Sequence, residues 1–189
     1  MKHVKYNNEI APRIVSEARK RIVKAMETNG FIMPETTTIE QIEESSMEIC
    51  SDLSYRMTEF FMKHNPSEVN VYAPIYSSLL SVLVAMELTN EWYNNKNVDS
   101  EDIYDHLINE SPIDTLDEYV LDKLGIQYES TEYNKMMEFI NKTYAENWIF
   151  MNEEAKKQGI GTQIMFVVDS LMIMLSIGIL MQKKRLGVN

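Results

Sequence analysis

IMFVVDSLMIMLSIGILM, residues 164–181, is the stretch on which the rest of the chain is read. Asp169, Ser170 and Ser176 interrupt an otherwise apolar run, Gly178 is its single glycine, and Lys183, Lys184 and Arg185 follow at once. A helix that is apolar on nearly all sides has to be surrounded, either by protein or by lipid. Eighteen residues at a rise of about 1.5 Å span roughly 27 Å, close to the ~30 Å of hydrocarbon in a bilayer. A C-terminal membrane anchor over 162–185, with the three cations as its flank, is therefore the rival reading.

Two features favour a protein surround. A carboxylate such as Asp169 costs about 2.5–3.5 kcal/mol near a bilayer centre. Thr162, Asp169, Ser176 and Lys183 are spaced by seven and fall on one narrow strip of the helix. A polar strip beside a broad apolar surface suits a bundle helix with one edge at solvent or at a buried polar partner. The expectation is a buried helix whose Leu171, Ile173, Leu175 and Ile177 are covered by protein.

Outward from this stretch, helical signals recur. Ser130 or Thr131 opens a long helix to about 158, in which Tyr133, Met137, Ile140, Tyr144, Trp148, Met151 and Ala155 step by three and four. Gly159-Ile160-Gly161 breaks it, so 130–158 and 162–185 read as an antiparallel hairpin. Pro74 opens another helix to about 94, and its section 79–88, LLSVLVAMEL, is almost uniformly apolar. Pro12 suits the first turn of a helix to Thr28, ended by Gly30, with Ile14, Ala18, Ile22 and Ala25 inward and Arg13, Glu17, Lys20 and Lys24 outward. Thr37 and Glu40 form a capping box for a helix to Lys63 or His64, whose inner stripe runs from Ile39 to Phe60. Shorter helices are read over 99–109 and from Ser111-Pro112 to Gly125. The fold class is all-α: a single-domain bundle of about six helices over 1–189, closed by a long hairpin whose last helix is highly hydrophobic. Its parts are a basic N-terminal helix (1–30), an acidic helical body (34–128) and the C-terminal hairpin (130–187).

Composition narrows the function classes. The 189 residues are 44% hydrophobic and 25% charged, with 6 Gly and 5 Pro, ordinary for a globular helical chain. The 14 methionines are read as packing. Cys50 is alone, so no intrachain disulfide forms, and it falls on the 39–60 stripe as inert packing. No apolar segment follows the charges of MKHVKYNNEIAPR, which predicts no signal peptide and a cytoplasmic or virion location. Asn141-Lys142-Thr143 matches a glycosylation sequon inside a helical pattern and is read as chance.

Charge divides sharply. Residues 1–27 hold seven Lys/Arg against three Asp/Glu (+4), residues 28–182 hold eight against twenty-six (−18), and 183–189 add +3. Between Glu101 and Asp122 there are eight carboxylates and no Lys or Arg. Direct nucleic-acid binding is not expected of such a surface.

Motifs for chemistry are missing. The Glu-x-x-His pairs of bundle di-iron sites do not occur: Phe61 precedes His64 by three and Ile103 precedes His106 by three. His3, His64 and His106 share no metal-ligand spacing, and there is no Gly-rich phosphate loop, Gly-x-Ser-x-Gly or paired-cysteine motif. No catalytic residue, metal or cofactor is assigned. Glu87 and Asp169, carboxylates on the two most apolar helices, are candidate buried polar residues that either carry a site or pair at a bundle edge.

Two non-enzymatic classes fit. One is an assembly subunit whose partner is a second copy or another protein, with Arg13, Lys20, Lys24, Lys183, Lys184 and Arg185 meeting Glu101, Asp102 and Asp105 across a heterologous contact. Small helical ring proteins of phage head–tail connectors have this general character, an analogy that no motif carries. The other is an acidic binder, an inhibitor or nucleic-acid mimic occupying a basic groove.

Overall fold

The computed structural model describes residues 9–33, 72–94, 116–160 and 164–188, and every regular element among them is an α-helix. In chain order these are α1 Ile10–Thr28, α2 Tyr72–Asn94, α3 Leu116–Lys123, α4 Thr131–Lys157 and α5 Ile164–Leu186. The helices read over 37–64 and 99–109, the start at Ser111-Pro112, Cys50 and all three histidines lie outside the described residues.

Local chemistry sets the boundaries. At the start of α4 the Ser130 hydroxyl accepts from the Tyr133 N–H at 3.1 Å, satisfying one of the free donors of the first turn. At the end of α1, Gly30 takes φ +71°, and the Gly30 and Phe31 N–H groups return to the Glu27 and Met26 carbonyls. This pair of bonds needs a left-handed residue, and glycine adopts it without a Cβ penalty. Gly159 closes α4 by the same pair, to Lys156 and Ala155, and the following Ile160 is buried.

The core centres on α2 and α5. Every residue from 78 to 89 is buried, and so are Leu171, Ile173, Met174, Leu175, Ile177, Ile179, Leu180 and Met181. The two helices run in the same direction, since Val82 and Ala85 face Gly178 while Asn90, farther along α2, bonds Gln182. A Cβ on Gly178 would collide with the Val82 carbonyl oxygen and lie 2.8 Å from the Ala85 Cβ. The absence of a side chain there lets the two backbones approach.

This pairing corrects the expected hairpin of 130–158 against 162–185. Arg185 near the end of α5 reaches Glu132 at the start of α4, yet α5 packs chiefly on α2 and touches α4 little. The physical reason lies in the stripes: α4 is apolar along one side, which it turns to α1 and α2. α5 is apolar nearly all round and seats best on the equally apolar α2. α1 and α4 run in opposite directions, with the Arg21 guanidinium 4.3 Å from the Phe150 ring centre at one end and Phe31 stacked at 4.5 Å on Phe139 at the other.

The polar strip of α5 lies partly at an edge and partly in the core. Ser176 is buried and donates its hydroxyl proton to the Met172 carbonyl of its own helix at 3.0 Å. Asp169 is half-buried opposite Arg19 of α1. Among the described residues no helix is long and apolar enough to cross a membrane.

Candidate functional site

Glu87 and Asp169 occupy different places. Thirteen residues of α5 separate Asp169 from Gln182, the residue nearest the Glu87 cluster, or about 20 Å along the helix at ~1.5 Å per residue. They do not form one carboxylate pair.

Glu87 is 1% exposed and sits where the C-terminal ends of α2 and α5 meet α3. Burial, then repulsion from Glu91 one turn on, push its carboxyl from the ordinary 4.5 to about 7, against the opposing pull of Lys123. The Asn90 side-chain N–H₂ reaches Glu87 Oε2 at 3.5 Å, and Asn90 Oδ1 accepts from Gln182 Nε2 at 3.1 Å. Gln182 Oε1 accepts from Arg185 at 3.0 Å, whose other terminal nitrogen donates to the Leu124 carbonyl at 3.3 Å. Arg185 Nε also lies 3.2 Å from Glu132 of α4. One relay of polar groups therefore ties α2, α5, α3 and α4 together. Lys123 stands 5.3 Å from the Tyr119 ring centre. Burial alone would lower its pKa, but Tyr119, Glu87 and Glu91 together raise it.

Asp169 is pushed up by burial, with Arg19 of α1 opposing. Its Oδ2 is buried with no hydrogen-bond partner among the described residues, as are Asn141 Oδ1, Asn147 Oδ1 and the Tyr144 hydroxyl on α4. Burial raises Tyr144 strongly. A small cavity of about 90 Å³ lies between α1 and α4, lined by Arg21, Ile22, Ala25, Thr143, Glu146 and Asn147.

The cationic residues divide into two groups. Arg13, Lys20 and Lys24 are exposed on the outer face of α1, where Lys20 and Lys24 line a shallow groove of about 500 Å³ together with Arg21, Glu17 and Asn29. Lys183, Lys184 and Arg185 instead make contacts within the molecule: Lys184 donates to the Gly30 carbonyl, Arg185 enters the relay, and Lys183 is half-buried with contacts of its own. Glu101, Asp102 and Asp105 lie outside the described residues, while Asp117, Glu118 and Asp122 of the same acidic stretch are on α3.

Sequence reasoning missed Asn90, Gln182, Lys123, Arg19 and Asn147. Asn147 had a readable signal, standing three after Tyr144 and four before Met151, inside the apolar stripe itself. Arg19 likewise lies four residues from both Val15 and Val23. The partners of Glu87 carried no such signal, because they depend on which helix ends meet.

Among the described residues no group of three or more His, Cys, Asp or Glu is placed to hold a metal ion. Comparison of the chain with known families, with characterised proteins and with solved structures finds no match.

Proposed function

We propose that this chain is a non-catalytic helical subunit that self-associates, the cationic face of α1 on one copy meeting the acidic stretch of the next. The observation that carries the reading is the row Arg13, Lys20, Arg21 and Lys24, exposed along one helix of a molecule with net charge −11. Along the groove beside it, the described counter-charge is Glu17, 4.0 Å from Lys20. The counterpart in this reading is the stretch 101–122, with eight carboxylates and no Lys or Arg in its sequence. Because the two surfaces differ, the contact is heterologous and closes into a ring or runs as a filament. A ring or virion component, like the small helical ring proteins of phage connectors, is the setting that such geometry suits. The reading retains about six helices with a hydrophobic last helix, the sixth helix resting on the stripe from Ile39 to Phe60.

Exposed ion pairs contribute about 0–1 kcal/mol each, so charge sets register and apolar side chains supply most of the affinity. Ile149, 56% exposed, and Trp92, 39% exposed, are available for that. The test is sedimentation of the wild type and of the Lys20→Glu, Lys24→Glu double variant at about 50 and 500 mM salt. The expected result is an oligomer that the substitutions dissociate at low salt while each monomer stays folded. A wild type that remains monomeric at high micromolar concentration at both salts overturns self-association and favours the acidic binder. Recovery of the chain only with membranes, with solubility restored by deleting 162–189, favours the anchor.

A further inference from the structure

Four buried side-chain oxygens have no hydrogen-bond partner among the described residues, and of these only Asn147 Oδ1 belongs to a residue that lines the small cavity between α1 and α4. Asn147 is 3% exposed. A buried acceptor left without a donor is costly, so its place in a native fold calls for an occupant. Thr143, Glu146 and Asn147 stand three and four residues apart and share one face of α4. Across the gap, Ile22 and Ala25 of α1 supply an apolar wall, and Arg21 is held with its guanidinium 4.3 Å from the Phe150 ring centre. Arg21 and Glu146 are exposed while Thr143 and Asn147 are buried, so the charged pair stands at the mouth and the neutral polar pair at the floor.

We propose that this cavity binds a small primary carboxamide, recognised by the side chain of Asn147. Size and hydrogen-bonding chemistry both select that class. One water needs only about 10–15 Å³, whereas a cavity of about 150 Å³ holds the six carbons of benzene. By proportion, the cavity of about 90 Å³ takes roughly three or four heavy atoms, the size of an amide group with one carbon attached. A carboxamide donates through its nitrogen and accepts through its oxygen, so it pairs with a second carboxamide through opposed hydrogen bonds. In that pairing the ligand N–H₂ donates to Asn147 Oδ1 and the ligand carbonyl accepts from Asn147 Nδ2. The rest of the lining matches what remains of the ligand. The Glu146 carboxylate accepts the other N–H, the Thr143 hydroxyl or Arg21 donates to the carbonyl, and Ile22 and Ala25 cover the carbon. Charged molecules of the same shape fit less well. A carboxylate brings only acceptors to Asn147 Oδ1 and Glu146, and an amidinium brings only donors and a positive charge beside Arg21.

The test is an NMR titration of the isotope-labelled full chain with three planar molecules of one shape: acetamide, acetate and acetamidinium, at equal ionic strength and neutral pH. The expected result is saturable, millimolar binding of acetamide, read in the backbone amides of 21–25 and 143–147 and in the Asn147 side-chain N–H₂, while 79–88 of α2 stay unmoved. The two ions should bind roughly tenfold more weakly, the effect of one hydrogen bond lost in a buried site. Asn147→Leu removes both the acceptor and the donor and abolishes saturation. Should that variant fail to fold, Arg21→Met at the exposed mouth keeps the test decisive: acetamidinium gains on acetamide, because a competing cation and a donor to the carbonyl are both gone. Shifts that grow without saturating, the mark of a cavity that holds water only, overturn the proposal. Tighter binding of acetate, which marks an anion subsite on the cationic face, overturns it too, as does tighter binding of acetamidinium or an order of affinities that neither variant changes.

Discussion

The molecule contains two helix pairs built on opposite terms. α2 and α5 are buried around most of their circumference and meet through the bare Gly178 backbone. α1 and α4 each bury one side and leave the other to solvent, and at two points an aromatic ring of α4 meets a side chain from α1 or the residues just after it. Apart from Trp92 near the end of α2, the described large apolar side chains of the first pair are turned inward, whereas the second pair exposes a charged outer face. Substitutions in the two pairs should therefore behave differently.

The largest difference is expected from truncation. Leu175→Ala, at a side chain with no exposure, should lose about 2–5 kcal/mol in denaturant unfolding. Ile149→Ala on α4, 56% exposed, should stay within about 0.5 kcal/mol. Similar losses at both positions would erase the distinction between the pairs.

Gly178→Ala comes next and sharpens the picture of the inner pair. The added methyl group meets a backbone carbonyl, which cannot turn aside as a side chain does, so α2 and α5 must separate. A cost of about 1–3 kcal/mol is expected, outweighing the ordinary preference of helices for alanine over glycine. A neutral or stabilised variant would mean that the helices do not approach at this point.

A smaller effect singles out the one acid buried in the inner pair. The carboxyl of Glu87 is raised from 4.5 to about 7, so the folded state retains a proton that the unfolded chain has already released. The resulting stabilisation is complete below about pH 4.5 and is lost as pH rises through about 7. The shift sets an upper bound of about 3 kcal/mol, and Lys123 and Glu91 at the solvent edge reduce the expected effect to about 2 kcal/mol. Glu87→Gln should therefore gain stability relative to wild type between pH 5 and 8, measured as the difference of two denaturation series. A constant difference across that range would show that Glu87 is not the titrating group.

How much of this was legible in the sequence follows the same division. One-sided periodicity marked the inner and outer faces of α1, because each position there has one plausible environment. Arg13, Lys20 and Lys24 are exposed as their spacing implies. α2 and α5 announced burial through their composition, but a helix apolar on every side carries no mark of which neighbour it will choose. Adjacency in the chain suggested α4 as the partner of α5, and the close approach permitted by Gly178 gave that place to α2. In the strip through Asp169, Ser176 and Lys183, Asp169 and Lys183 are half-buried, while Ser176 is buried with its hydroxyl bonded to the Met172 carbonyl. Glu87 was recognisable as an acid in an apolar run, but its relay to Arg185 belongs to the meeting of three helix ends and leaves no local pattern.

Native-state hydrogen exchange in detergent-free buffer tests the division most directly. The amides of 79–88 in α2 and 171–181 in α5 should exchange together, only through global unfolding, and more slowly than the exposed side of α1. Protection of α5 that appears only in detergent, or that is lost independently of α2, would contradict an inner pair buried by the protein itself.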